Sequence, residues 1–144
     1  MNPELEFARK TALAYNVICK PLCQELNLPQ TAFDILMFLG NNPEYKTARD
    51  IVEVRNIKAN LVSVNVDRLV QEGYLERRSV AMDRRKTELI CTEKAKSLME
   101  EGRAMQQAFW EKLFDGMDQE ARKAFMKTLD SIGKNAEEIL KGEY

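Results

Sequence analysis

The stretch VDRLVQEGYLERRSVAMDRRKTELICTEKA, residues 66–95, passes from a helical pattern to two strand-like pieces and back to a helical pattern. Its apolar residues first recur at helical spacing, and Gly73 is the residue type that commonly follows a helix C-terminus. Two short pieces with strand character follow, residues 74–78 and 87–91. The eight residues between them, 79–86, exceed the length of a tight turn. The pattern predicts a helix followed by a β-hairpin with a long loop.

Positive charge is concentrated in this hairpin. Residues 74–87 hold five basic and two acidic residues, a net charge of +3, whereas residues 88–144 hold nine basic and twelve acidic residues. A basic loop is either solvated and without a partner, or it binds phosphate groups. The net charge of −1 for the whole chain does not decide between these, but a position directly after a candidate recognition helix favours binding. The basic residues of the hairpin are Arg77, Arg78, Arg84, Arg85 and Lys86.

The rest of the chain has the apolar spacing of helices. Helices are predicted over residues 4–26, 31–40, 47–54, 58–72, 93–114 and 119–140. Thr31-x-x-Asp34 and Thr47-x-x-Asp50 have the form of capping boxes, and Thr92 can cap the helix that follows it. The predicted fold class is therefore mainly α with a small β-hairpin. Three helices followed by a hairpin is the order of a winged helix-turn-helix, whose third helix enters the major groove of DNA.

Residues 66–95 resemble the signature of the MarR family of bacterial transcriptional regulators, including an Asp-x-Arg in the wing, here Asp83 and Arg85. Residues 28–40 and 47–54 are similar to the family's first two core helices. The resemblance implies a single domain over residues 1–144, with a winged-helix DNA-binding core at about 28–92 and dimerisation helices at about 1–27 and 93–144. It also implies a homodimer on a pseudo-palindromic DNA duplex and a small aromatic or anionic ligand.

The predicted recognition helix, residues 58–72, has two distinct faces. Its apolar face is formed by Val62, Val66, Leu69 and Val70, and the opposite face by Asn60, Val64, Asp67 and Gln71. Asn60 can read adenine by a two-point contact, and Val64 can touch a thymine methyl group where the family often carries a cation. Asn60 and Ser63 also fit ordinary exposed polar positions. The candidate DNA-binding residues are Thr47, Lys58, Asn60, Ser63, Val64, Arg68, Asp83, Arg84, Arg85 and Lys86.

The acidic residues in this region are expected to hold cations. Because a carboxylate repels phosphate, Asp67 is expected to pair with a cation such as Arg68 or Arg85. Asp83 is expected to orient the guanidinium of Arg85 by a bidentate pair, so that the arginine can enter a narrow minor groove. Thr47, Lys58 and Ser63 are better suited to phosphate contacts, which position the protein without specifying a sequence.

Composition limits the chemistry that the chain can carry out. It contains no histidine, which excludes histidine-based catalytic triads and histidine zinc sites. Neither a phosphate-binding loop nor a nucleophile elbow is found. We therefore expect no enzyme, no catalytic residue, no cofactor and no metal site. No apolar run approaches 18 residues and the N-terminus lacks a signal-peptide pattern, so we expect no membrane span and a cytoplasmic location.

The cysteines and aromatic residues each have two interpretations. Cys19 and Cys23 lie four residues apart on the first helix and fit small apolar fillers, with a peroxide sensor as the alternative that the family resemblance implies. Cys91 is predicted to face the core. Phe7, Tyr15, Phe33 and Phe38 are candidates for lining a ligand site or, more simply, for the core.

The favoured function is a sequence-specific DNA-binding transcriptional regulator, a dimeric repressor released by a ligand or another signal. The alternative is a winged-helix module that binds protein and does not touch DNA. Steep salt dependence of binding to duplex DNA separates the two, because only DNA binding releases counterions. Long apolar stripes on the first and last helices predict that the chain is a dimer.

Overall fold

The computed structural model describes residues 2–143, apart from the side chain of Arg84. Within this range the elements are α1 (Pro3–Leu26), α2 (Gln30–Asn41), α3 (Ala48–Arg55), α4 (Ala59–Gln71), β1 (Leu75–Val80), β2 (Asp83–Cys91), α5 (Glu93–Leu113) and α6 (Gln119–Leu140). The chain forms two compact units, of which the first ends at Gln107 and the second begins at Ala108. The prediction of a mainly helical chain with a small hairpin is confirmed.

The core of the first unit is built around α2. Seven of the twelve residues of this helix are buried, because its sequence is apolar on nearly every side. The largest fully buried side chains include Phe33 and Leu36 of α2, Ile51 of α3, Leu69 of α4 and Leu75 of β1. Each element of the winged helix therefore contributes an apolar side chain to one core.

The two predicted capping boxes have different outcomes. Thr47 caps α3 as expected: its hydroxyl accepts the backbone N–H of Asp50, and the Asp50 carboxylate accepts the N–H of Thr47. The box at Thr31 is wrong, because α2 already begins at Gln30 and Pro29 is its N-cap. Asn27 ends α1 in the left-handed conformation. Only Leu28 and Pro29 then separate Asn27 from the first residue of α2, so the helix has already begun when the chain reaches Thr31.

The end of α4 and the start of α5 follow their predictions. Gly73 follows α4 with φ of 83°, a backbone conformation that glycine adopts without strain. The hydroxyl of Thr92 accepts the backbone N–H of Ala95 at 3.3 Å, so Thr92 caps α5.

The hairpin differs from the prediction. Its strands extend to Val80 and Asp83, which are paired, and only Ala81 and Met82 lie between them. The predicted eight-residue loop is therefore wrong. Strand pairing uses backbone groups and does not require apolar side chains, so this solvent-exposed ladder continues through a polar sequence that has no alternating pattern.

A register irregularity in the hairpin coincides with the basic run. Ser79 pairs with Thr87, but the next residue on β1, Val80, pairs with Asp83. The residues of β2 between these two pairs are Arg84, Arg85 and Lys86. Extra residues on one strand bend it and increase its twist, and such bulges re-aim side chains. The run thus lies on a bulged strand.

The second unit is a helical hairpin with aromatic contacts at its turn. Asp118 caps α6 by accepting the backbone N–H of Ala121 at 2.8 Å. The ring of Phe114 meets the ring of Phe125 edge to face, with 5.4 Å between centroids. None of the residues of α6 is buried. Among the described residues, the structure contains no helix that combines the length and the apolar character needed to span a membrane.

Candidate nucleic-acid interface

Helix α4 presents one face to the core and the other to solvent, as its sequence predicts. Val62, Val66 and Leu69 are buried, and Val70 packs partly buried against the same core. Asn65, whose surroundings could not be inferred from the sequence, is buried, and its amide donates to the carbonyl of Leu61 at 2.8 Å. The solvent face is available for a partner. Its exposed residues include Asn60, Ser63, Val64 and Asp67.

The start of α4 favours an anionic partner. Its N-cap is Lys58, whose side chain makes no capping hydrogen bond, and the first turn holds no acidic residue. The N–H groups of this turn therefore lack a side-chain acceptor, and the helix dipole adds partial positive charge. Lys58 itself is exposed. These features suit a phosphate group of a DNA backbone.

The start of α3 is held by Asp50. Its carboxylate accepts the backbone N–H groups of Lys46 at 3.0 Å and Thr47 at 3.1 Å. Burial alone would raise the pKa of Asp50, but these hydrogen bonds, together with the charge of Lys86, keep the pKa below its usual value. Lys86 thus lies close enough to influence the start of α3. The Thr47 hydroxyl accepts the α3 cap bond, and its own proton is donated to the Asp50 carboxylate, which helps to lower the pKa of Asp50.

The hairpin of β1 and β2 is the wing, and its base is fixed to the core at two points. The backbone N–H of Leu89 on β2 donates to the carbonyl of Lys46 at 2.7 Å. The guanidinium of Arg77 on β1 forms an ion pair with the carboxylate of Asp67 on α4. The expectation that Asp67 pairs with Arg68 or Arg85 is therefore wrong. Arg77 lies in β1, the strand that follows α4, and its side chain reaches back to the helix. The spacing of residues along one helix cannot indicate such a contact.

Arg68 lies apart from the other candidate residues. Its guanidinium donates to the carbonyl of Asn27 at 2.6 Å and lies 3.6 Å from the carboxylate of Glu72. Asn27 is the left-handed residue that ends α1, so Arg68 fastens α4 to the link between α1 and α2. A role in DNA contact for Arg68 remains a prediction, and these contacts give it a structural role.

The expectation that Asp83 pairs with the guanidinium of Arg85 is wrong. Its carboxylate accepts the backbone N–H of Arg85 at 3.0 Å, the short-range bond typical of an aspartate next to a turn. Among the described side chains, no ion pair of Asp83 with a cation is found. Arg85 and Lys86 are exposed, and the side chain of Arg84 lies outside the described residues. Asp83 therefore holds the backbone at Arg85 and not its guanidinium.

A groove of about 500 Å³ runs between α3, α4 and the wing. Ser63 and Arg77 line it, so it joins the recognition helix to the wing. Arg49 of α3 also lines the groove and was missed by the sequence interpretation; its guanidinium lies 2.8 Å from the Glu53 carboxylate. Arg49 directly follows the first residue of a capped helix, and this position could have drawn attention to it.

The cysteines and aromatic residues singled out in the sequence lie away from this surface. Cys19 and Cys23 are buried, as the filler interpretation requires, and burial raises the pKa of the Cys19 thiol to about 11. Phe33 and Phe38 belong to the core, whereas Phe7 is exposed. Cys91 is partly buried against the core.

Comparisons with known proteins agree with this architecture. The sequence model of the MarR family matches residues 26–86. The chain is 21% identical over 123 residues to the HTH-type transcriptional regulator BilQ of Clostridium symbiosum (strain WAL-14163), covering 85% of each chain. A MarR protein from Peptoclostridium difficile superposes with a TM-score of 0.83 at 20% identity, over 99% of this chain and 93% of that one.

A further structure of the same fold was solved with nucleic acid. It is a MarR family transcriptional regulator from Listeria monocytogenes complexed with 26mer DNA, with a TM-score of 0.82 at 18% identity, over 100% of this chain and 98% of that one. The sequence match covers the winged-helix core, and the shared fold covers nearly the whole chain. The winged-helix core is thus similar in sequence to the MarR family, and nearly the whole chain shares its fold with these structures.

Proposed function

We propose that this protein is a homodimeric, sequence-specific DNA-binding repressor whose DNA affinity changes with a small-molecule ligand or another signal. The observation that carries the DNA-binding part is the ion pair between Arg77 and Asp67. It neutralises the one acidic residue on the solvent face of the first three turns of α4 and fastens the cationic wing to that helix. The start of α4, which has no acidic residue, and the basic wing can therefore bind the same anionic partner.

The proposed interface divides its work between two kinds of contact. We expect Asn60 and Val64 to contact base edges, because they are exposed on the solvent face of α4. We expect Thr47, Lys58, Ser63 and Lys86 to contact phosphates, and Arg85 to reach along the DNA backbone toward the minor groove. The Listeria relative solved with 26mer DNA supports a duplex as the partner.

Titration of duplex DNA at several salt concentrations tests this proposal. A random duplex library selected on the purified protein should yield a pseudo-palindrome, and its affinity should fall steeply with salt because phosphate contacts release counterions. An unrelated duplex of equal length is the control. No enriched sequence and no salt-dependent binding would favour the alternative, a winged-helix module that binds another protein.

Apolar residues that remain partly or largely exposed on two long helices support the homodimer part of the proposal. On α6, Leu129, Ile132 and Ile139 are exposed; on α1, Leu13 and Val17 are exposed. Isolated exposed apolar residues are ordinary, but rows of them along two long helices are typical of an interface. Light scattering should give about twice the chain mass of 16.6 kDa.

Substitution of the apolar row tests the dimer directly. Leu129→Glu with Ile132→Glu should give a particle of one chain mass and abolish binding to a two-half-site duplex. Lys127→Gln on another side of the same helix is the matched control and should leave the mass unchanged. A single-chain mass for the native protein would remove the two-half-site arrangement.

The ligand part rests on a groove of about 660 Å³ that lies within the first unit. Apolar walls from Leu13, Val17 and Leu28 combine there with the cations of Lys20 and Arg68, a combination that suits a small aromatic anion. Calorimetric titration with salicylate as the probe should show binding that Arg68→Gln weakens. If no heat of binding is measured at millimolar salicylate, a signal other than a small aromatic anion must change the DNA affinity.

A further inference from the structure

Two aliphatic side chains stand exposed on the solvent face of α4. Leu61 is 46% exposed and Val64 is 65% exposed, and residues three apart on a helix are neighbours. We call them the apolar pair. They do not belong to the core stripe of the same helix, whose members Val62 and Val66 are 1% and 3% exposed. The chain itself therefore provides little cover for the apolar pair.

The surroundings of the apolar pair indicate what covers it. Asn60 and Ser63 flank it, Lys58 precedes it, and the first turn of the helix has no acidic residue. Asp67, one turn further along, is occupied by Arg77. An apolar protein surface would bury these polar and cationic groups without partners, at a cost. A duplex major groove supplies phosphates and base edges for them, and its one apolar group is the thymine methyl.

We propose that the apolar pair reads the 5-methyl groups of thymines in the major groove, so that each operator half-site carries thymine opposite Leu61 and Val64. The inference rests on the proposed function, since it requires duplex binding. It adds a selection rule that hydrogen-bonding side chains do not provide: this part of the half-site is recognised by apolar contact. A 5-methylcytosine presents the same methyl group and belongs to the same ligand class.

Replacement of thymine by deoxyuridine tests this rule without changing the protein. Deoxyuridine keeps every hydrogen-bonding group of thymine and lacks only the methyl group. The selected duplex and versions with deoxyuridine at each thymine of one half-site are titrated by fluorescence anisotropy. The native protein should bind about fourfold more weakly for each contacted methyl removed, since burial of one CH₂ group contributes ~0.8 kcal/mol.

Variants of the apolar pair complete a double-mutant cycle. Val64→Ala and Leu61→Ala should each weaken binding to the thymine duplex and reduce the difference between the thymine and deoxyuridine duplexes. Lys86→Ala is the matched control: it should weaken binding to both duplexes by the same factor, because a phosphate contact is indifferent to the methyl group. Circular dichroism confirms that each variant folds.

Each outcome decides the inference. Methyl-dependent affinity that Val64→Ala or Leu61→Ala diminishes supports it. Equal affinity of the native protein for thymine and deoxyuridine duplexes overturns it while leaving the proposed function intact. Discrimination that persists undiminished in both variants also overturns it, because other residues then read the methyl groups. Failure to bind any selected duplex removes both the inference and the proposed function.

Discussion

Helix α4 and the wing are adjacent in sequence and face the same proposed partner, but they are specified in different ways. The position of α4 is fixed by apolar side chains such as Val62 and Leu69, which are buried. Among the described side chains of the wing from Arg77 to Thr87, all but Val80 are exposed. The wing is held by backbone pairing and by two anchors at its base. Burial therefore determines where the helix lies, whereas hydrogen bonds determine where the charges of the wing lie.

The largest expected effect is on the buried side of α4. Leu69→Ala removes a fully buried side chain and should lower the free energy of unfolding by about 2–5 kcal/mol, the usual cost of such a cavity. Val64→Ala, on the exposed side of the same helix, should change it by less than about 0.5 kcal/mol. Urea denaturation of the two variants measures this. Similar costs for both would contradict the assignment of the two faces.

The second effect concerns DNA affinity. Arg85→Ala should leave the melting temperature unchanged, because the side chain is exposed, and should weaken binding to the selected duplex by about 1–3 kcal/mol per half-site. Fluorescence anisotropy and differential scanning fluorimetry give the two quantities. Lys123→Ala, an exposed cation in the second unit, serves as a control for loss of one positive charge. Equal weakening by both variants would show a diffuse charge effect and no specific role for the wing.

A third and smaller effect is expected where the two regions meet. Asp67 and Arg77 are each about half exposed, so their coupling in a double-mutant cycle with alanine should be about 0.2–1 kcal/mol of unfolding free energy. Chemical denaturation of the two single variants and the double variant measures it. The coupling should shrink in 1 M salt, where screening is strong. A coupling of zero at low salt would mean that the wing and α4 are energetically independent.

The smallest effect is expected at the turn of the wing. Asp83→Asn keeps an oxygen that accepts the Arg85 N–H but removes a negative charge, so DNA binding should be equal to or slightly tighter than that of the native protein. Asp83→Ala loses the acceptor and should bind more weakly than Asp83→Asn. Titrations at two salt concentrations separate charge from geometry. Stronger binding by Asp83→Ala than by Asp83→Asn would exclude a role for the backbone bond.

The contrast between α4 and the wing also explains what could be predicted from the sequence. The bounds of α6 and the Thr47 cap were predicted correctly, because periodicity and capping are local. The hairpin loop was predicted too long, because the end of the ladder near the turn is mostly exposed and polar and leaves no apolar alternation to read.

Ion pairing in the candidate site was predicted poorly. The partners of Asp67 and Asp83 were wrong, because the sequence cannot show which exposed charges the backbone brings together. The register irregularity beside Ser79 likewise has no local sequence signal. Exposure of Asn60 and Val64 was predicted correctly, since it follows from the buried stripe on the other side of the helix.

The backbone bond from Leu89 to the carbonyl of Lys46 has a mechanical consequence. It fixes β2 to the core near the base of the wing, whereas the turn at Ala81 and Met82 is exposed. We therefore expect the turn of the wing to open and move more readily than its base. Amide hydrogen exchange should register this motion as slow exchange at Leu89 and fast exchange near Met82.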